Sequence, residues 1–291
     1  PEVRLGQIAE TCLESTLGPW CNNRGAVPAS LHAILCTATS DRPGPDYSAI
    51  AEEVLSNSLA EKQLGTVQVL TEQTGNAGVF NALATACDLL ADNPDSLCLI
   101  GAIDSLIHED TLDWLEEESR LKSDSFGRHQ GVVAGEAAGF FTVALRPPLE
   151  PPDKGVSVTI DGVGQAVEPA PRLSSAPSSG IGLTEACKRA LTASGCTPDH
   201  ITNVVGDLDG EFFPAKQWGY AEIRTLGSRD NHRQLWHPAD CFGSVGAASG
   251  AVNLCLIASS DAWLLGTSLM FGMDDAGSCG AAVFTKHQNR Y

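Results

Sequence analysis

The sequence predicts an α/β fold, a five-layer αβαβα sandwich made of two duplicated βα halves, and three observations point there. Continuous apolar strands alternate with helical segments, the pattern of mostly parallel sheets buried on both faces. A proline-rich break, "RPPLEPPDKG" (146–155), falls near the middle of the 291 residues. Similar segments recur on either side of it: "TGNAGVFNALATACDLL" with "GSVGAASGAVNLCLIAS", and "GEAAGFFTVA" with "GSCGAAVFTK". A half-chain duplication leaves few architectures open. The expected division is an N-terminal half over 1–147, a Pro-rich linker over 148–155, and a C-terminal half over 156–291.

In the first half, "SLHAILCTATS" (30–40) reads as a buried strand and 46–63 has a helical rhythm. "TVQVLTE" (66–72) is a strand, and 76–92 is a helix rich in Ala and Leu. "SLCLIGAIDS" (96–105) is a strand, an acidic helix follows near 108–121, and "GFFTVAL" (139–145) is a strand. The second half repeats the plan. A strand at 156–164 leads through a Pro- and Ser-rich loop (168–179) to a helix at 180–195. The strand "ITNVVGDL" (201–208), a helix at 215–227 and the strand "RQLWHPAD" follow. A helix at 246–266 and a closing strand at 277–286 complete it.

Composition excludes several classes. An apolar fraction of 43% with 19% charged residues marks a globular chain. The net charge of −18 argues against nucleic acid or an anionic membrane as partner, and a basic protein surface, or none at all, fits better. No apolar run approaches the roughly 20 residues a membrane span needs, and no signal peptide is visible, so a cytoplasmic protein is expected. The sequence opens at Pro1 without Met, so a few native residues are expected to precede it. None of the ten cysteines belongs to a C-x-x-C pair, and Cys36, Cys98 and Cys255 lie inside apolar runs. They read as small core residues in a reducing compartment, and neither a metal nor a cofactor is expected.

The stretch "TEQTGNAGVFNALATACDLL" (71–90) has the form of a turn that presents one side chain at a positive helix end, and Asn76 stands at that position. Four segments in order sharpen the picture: "CLIGAIDS" (98–105), "GVVAGEAAGFFTVA" (131–144), "GSVGAASGAV" (243–252) and "FGMDDAGSCGAAVF" (271–284). They resemble the GG-x-D-S strand, the GEGAG segment, the GHTxGAAGAV helix start and the closing FGFGG turn of the β-ketoacyl synthases, in the thiolase-like superfamily. The resemblance implies the layered fold above. It also implies a chemistry of one acylated cysteine, its thiolate stabilised by a helix dipole, and two histidines that polarise the thioester and assist decarboxylation.

Carried over position by position, the cysteine falls on Asn76, the first histidine on Asp207 in "ITNVVGDLDG", and the second on Ser244. An amide cannot form a thioester. A carboxylate at Asp207 would repel a developing oxyanion, and one hydroxyl does not replace an imidazole pair. The expectation is a pseudoenzyme with a degenerate triad and no catalytic residues. His237 and Cys241 in "HPADCFG" form the alternative pair, but on a strand four residues place them about 13 Å apart. His129 reads as a solvated loop residue, "LDWLEEESR" (112–120) as a solvated acidic face, and "SSAPSSG" (174–180) as a flexible loop. Glu136 matches a family glutamate that bonds backbone near the pocket.

Three readings of function follow. The first is a non-catalytic scaffold or adaptor, similar in its short chain, its "RPGP" (42–45) and its "HPADCFGSVGAASG" to small thiolase-like proteins associated with type VI secretion effectors. The second is a chain-length-factor-like partner of an active ketosynthase, and the third an acyltransferase with a relocated cysteine. All imply a protein partner, and the expected assembly is a homo- or heterodimer.

Overall fold

The computed structural model describes residues 2–22, 30–62, 67–123, 127–145, 156–227, 233–259 and 264–288. The expected linker, 148–155, lies outside them. Helix α1 (Glu2–Asn22) precedes strand β1 (Leu31–Cys36), α2 (Ser48–Lys62), β2 (Val67–Glu72), α3 (Gly78–Asp92), β3 (Leu97–Ser105), α4 (Glu109–Glu117) and β4 (Glu136–Val143). The second series is β5 (Val156–Val167), α5 (Ile181–Ser194), β6 (Ile201–Gly206), α6 (Phe212–Thr225), β7 (Gln234–Trp236), α7 (Ala239–Phe242), α8 (Ser249–Ser259), β8 (Gly266–Met273) and β9 (Ser278–Gln288).

The strands form two sheets of matching order, β2-β1-β3-β4 and β7-β6-β8-β9, the second extended by β5 beyond β9. In both, the first three strands run parallel and the fourth antiparallel. The first sheet is thus mostly parallel as expected, and the second, in which β9 runs antiparallel to both β8 and β5, is mixed. Alternation along each strand divides the core into layers. On β1, Leu31, Ala33 and Leu35 pack outward with Leu5, Leu13 and Leu17 of α1 and Leu55 of α2, whereas Ile34 and Cys36 face inward. On β9, Ala281 and Val283 pack outward against α5 and α6, and Ala282 and Phe284 inward. Between the sheets lie α3 and α8, giving the five layers.

The close approach of those central helices depends on small residues. A Cβ on Gly250 of α8 would stand 2.9 Å from Val79 of α3, and one on Gly280 would stand 2.4 Å from Phe80.

Besides the short α7, two elements were not anticipated. Helix α1 is one: its Leu5, Ala9, Leu13 and Leu17, at spacing four, are wholly buried. It lies beside β4, where the second half carries β5. Its Thr16 hydroxyl donates to Phe140 O at 3.0 Å and its Cys12 thiol to Ala138 O at 3.4 Å, satisfying carbonyls that a fifth strand would have taken. Strand β8 is the other. The helix expected over 246–266 starts as a 3₁₀ turn, Gly246–Ala248, continues as α8 to Ser259, and residue 266 already begins β8. "RQLWHPAD" is likewise a strand only over Gln234–Trp236, because Pro238 caps the short α7.

Candidate functional site

The centre of the molecule holds two nearly superposable turns. After β2, Thr74 (φ −111°, ψ 27°) leads into the 3₁₀ turn Gly75–Ala77 and then α3. Its counterpart, Val245 (φ −113°, ψ 22°), leads into Gly246–Ala248 and α8. Gly75 and Gly246 both have positive φ, 55° and 53°, a conformation that favours glycine. Each also makes room for a carboxylate from the opposite half. A Cβ at Gly75 would lie 2.0 Å from Asp274 Oδ2, and one at Gly246 would lie 2.1 Å from Asp104 Oδ2. Asp104 ends β3 and Asp274 follows β8, so the exchange is reciprocal.

Asn76, Asp207 and Ser244 meet at one cavity of about 130 Å³ beside these turns. The Asn76 amide donates from Nδ2 to Asp207 Oδ2 at 2.6 Å. Ser244 is pinned by its backbone: its N–H donates to Val133 O and its carbonyl accepts from Gly135 N–H, both at 2.8 Å. Burial lifts the Asp207 carboxyl from 3.8 to about 6. Hydrogen bonds from Asn76 and Ser249 draw it down, while Asp274 and Asp275 push it up. Burial likewise lifts Asp274 to about 6 and raises Asp209, whose neighbours Glu211 and Asp207 add to the effect.

The cations of the site are already engaged. Arg42 grips Asp104 with two bonds of 2.6 Å, and Asp104 also accepts from Ala247 N–H at 2.7 Å. Arg120 bonds Glu211 at 2.9 and 3.0 Å and Asp275 at 2.6 Å. Arg172 pairs with the same two acids at 2.8 and 3.2 Å. This ring joins four loops, with the arginines resting on Trp114 and Phe213. Sequence reasoning missed Asp209, Asp274, Asp275 and the paired arginines. A signal was present: "GAIDS" and "GMDD" place an aspartate at the end of corresponding strands in the two halves.

The other sequence candidates lie elsewhere. His237 and Cys241 do not share a strand, since Cys241 sits on α7 with its N–H bonded to Pro238 O. The His237 ring faces Asp240 at 2.7 Å, and Cys241 is exposed rather than core-facing. His129 is exposed, as expected. Glu136 does not bond backbone as the family role implied: its carboxylate takes the Arg4 guanidinium and the Ser105 hydroxyl. Among the described residues no cysteine lines the cavity. Cys36, Cys98, Cys187 and Cys279 are buried as expected, Cys12, Cys196 and Cys255 partly so, and Cys87 is exposed.

No family model and no curated protein matches this chain. Solved structures do. A type II polyketide synthase ketosynthase, solved with its acyl-carrier protein and bound to the hexaketide, superposes with a TM-score of 0.76 over 96% of this chain and 84% of its own, at 15% identity. The fold is the thiolase-like ketosynthase fold. The ishigamide ketosynthase/chain length factor matches with a TM-score of 0.73 over 97% of this chain and 82% of its own, at 14% identity. A β-ketoacyl synthase from Burkholderia phymatum gives 0.73 over 99% and 83%, at 13% identity. The central turns and helices described above thus belong to a ketosynthase-fold scaffold.

Proposed function

We propose that this chain is a ketosynthase-fold protein without condensing chemistry that works by binding another protein. The observation that supports this most is the 2.6 Å bond between Asn76 and Asp207. In the alignment drawn from sequence, these are the nucleophile and first-histidine positions. Here an amide, which forms no thioester, is tied to a carboxylate, which offers no donor to an oxyanion. Ser244 supplies one hydroxyl in place of the second imidazole. A relocated thiol is disfavoured because no described cysteine reaches the cavity and burial raises the thiols of Cys98 and Cys255 to about 11.

The finer reading is an accessory or adaptor role, of the kind associated with loading type VI secretion effectors, in a cytoplasmic homo- or heterodimer. A chain-length-factor-like role is the second reading. The structural neighbour that pairs a ketosynthase with a chain length factor favours it, as does the outer edge of β2, which no strand covers among the described residues. Co-expression with products of adjacent genes, followed by size-exclusion chromatography, tests the proposal. A stable complex with a secretion effector or adaptor, retained by Asn76→Ala, supports the first reading. A complex with an active ketosynthase supports the second, and carrier-protein acylation by this chain alone contradicts both.

A further inference from the structure

Helix α6 turns an apolar face outward. Its buried side is Pro214, Gln217, Trp218, Ala221 and Thr225. On the solvent side Phe212, Ala215, Gly219 and Ile223 form one stripe at spacings of three and four, about 16 Å long. Phe212 and Ile223 are 66% and 69% exposed, where a surface helix ordinarily carries charged and polar residues. Gly219 sits mid-stripe. Glycine in a helix interior lowers stability relative to alanine, and nothing within the fold requires it here, since an added Cβ would meet no atom within 4 Å. Close approach of another backbone from outside gives it a reason. Beside Phe212 and Ala215 a groove of about 250 Å³ opens, with His237 and Asp240 on its rim.

The charge along the stripe says what covers it. Lys216, Tyr220 and Arg224 run along one flank, with the Lys216 ammonium 5.8 Å and the Arg224 guanidinium 5.2 Å from the centre of the Tyr220 ring. Neither cation has a carboxylate partner among the described residues, whereas Arg4, Arg42, Arg120 and Arg172 each hold one. In a chain of net charge −18, two neighbouring cations left unpaired favour an acidic partner. Glu222 lies on the other flank of the helix. An antiparallel pairing of two copies would set the cationic flank against itself, and each copy is strongly acidic overall, so the occupant is a different chain. Two cations are too few to hold so acidic a chain on a nucleic acid or an anionic membrane.

We propose that the outer face of α6 docks an amphipathic helix of another protein, one with acidic residues along a flank of its apolar stripe. Phe212 and Ile223 anchor the apolar contact, Ala215 and Gly219 let the two backbones approach, and Lys216 and Arg224 pair with the acids. The groove beside Phe212 takes one apolar side chain of the guest. The inference rests on the protein-binding reading above and gives it a surface and a partner chemistry.

Fluorescence anisotropy of a labelled synthetic helix, titrated with the full chain, tests the surface. The probe carries Leu on one stripe, Glu on one flank and Ala and Gln elsewhere over about three heptads, and a second probe has Lys in place of Glu. The acidic probe is expected to saturate and to bind at least tenfold tighter than the basic one. Ile223→Asp should weaken it at least tenfold, and Lys216→Glu with Arg224→Glu should invert the preference between probes. Amide hydrogen exchange in the unmodified chain should slow across 212–225 when the acidic probe is added, a readout that stands even where a variant fails to fold. No saturable binding of the acidic probe, equal binding of both probes, or protection confined to other segments overturns the proposal. So does sedimentation of the chain with anionic phospholipid vesicles that Ile223→Asp abolishes. The co-expression assay judges protein binding separately. A complex that survives Ile223→Asp overturns the surface and leaves that reading standing, whereas absence of any complex strikes that reading even where the probe binds.

Discussion

Asp207 is a buried carboxylate whose charge burial disfavours, and replacing it with asparagine tests the electrostatics of the centre. The amide oxygen keeps the acceptor that Asn76 uses, so the change removes charge with little loss of shape. The folded carboxyl titrates near 6 against 3.8 in the ordinary state. Its folded pKa is raised, so the folded state binds the proton more tightly than the unfolded chain. Stability from this group is therefore fully present below pH 3.8 and is lost as pH rises through about 6. Each pH unit corresponds to about 1.4 kcal/mol, so the ionised form costs about 3 kcal/mol above that window. Asp207→Asn escapes this loss. Urea unfolding is expected to show the variant more stable by about 3 kcal/mol near pH 8, with the difference shrinking towards zero near pH 4. Relief of Asp209, which Asp207 pushes up, acts in the same direction. A variant less stable than the parent near pH 8 would refute the reasoning. It would mean that the bonds from Asn76 and Ser249 outweigh the burial of the charge.

Three further outcomes follow from packing and edges. Gly280→Ala places a methyl 2.4 Å from Phe80 Cβ and is expected to lower stability by about 1–3 kcal/mol in urea unfolding, whereas Gly78→Ala, whose nearest neighbour is Cys36 Cβ at 3.3 Å, should cost less. Light scattering should show an assembly larger than the 30.5 kDa chain, and Val69→Lys on the outer strand β2, where Val69 is 40% exposed, should shift it towards monomer. Asn76→Cys should give no condensation with acyl and malonyl thioesters in a product assay, because Asp207 and Ser244 supply no imidazole; measurable turnover would reveal a base not accounted for here.

Much of the architecture was legible because the two halves repeat. "TGNAGVF" and "GSVGAAS" fold into turns whose backbone angles agree within a few degrees, and their likeness is visible in the letters. The apolar strands were legible for the same reason that they are buried: β3 is covered along its whole length. The boundary between α8 and β8 was not, because only the short polar stretch "SSD" (259–261) interrupts the apolar letters, which resume at once with "AWLLG". Helix α1 had a readable spacing in Leu5, Ala9, Leu13 and Leu17, yet its place beside β4 depends on a partner far along the chain. The cavity shows the same limit. Motif order brought Asn76, Asp207 and Ser244 to one place. Asp274 and Asp209, however, acquire their meaning from burial and from arginines held by other acids, which no local pattern records.

The most direct test of the central claim is intact-mass spectrometry of the purified chain after incubation with an acyl-carrier-protein thioester. An unmodified mass at the cavity is the expected result, since the side chain at the helix-leading turn is the Asn76 amide and no described cysteine lines the cavity. An adduct on exposed Cys87 or Cys241 leaves the account intact. A stoichiometric acyl adduct mapped to a residue of the cavity would contradict it.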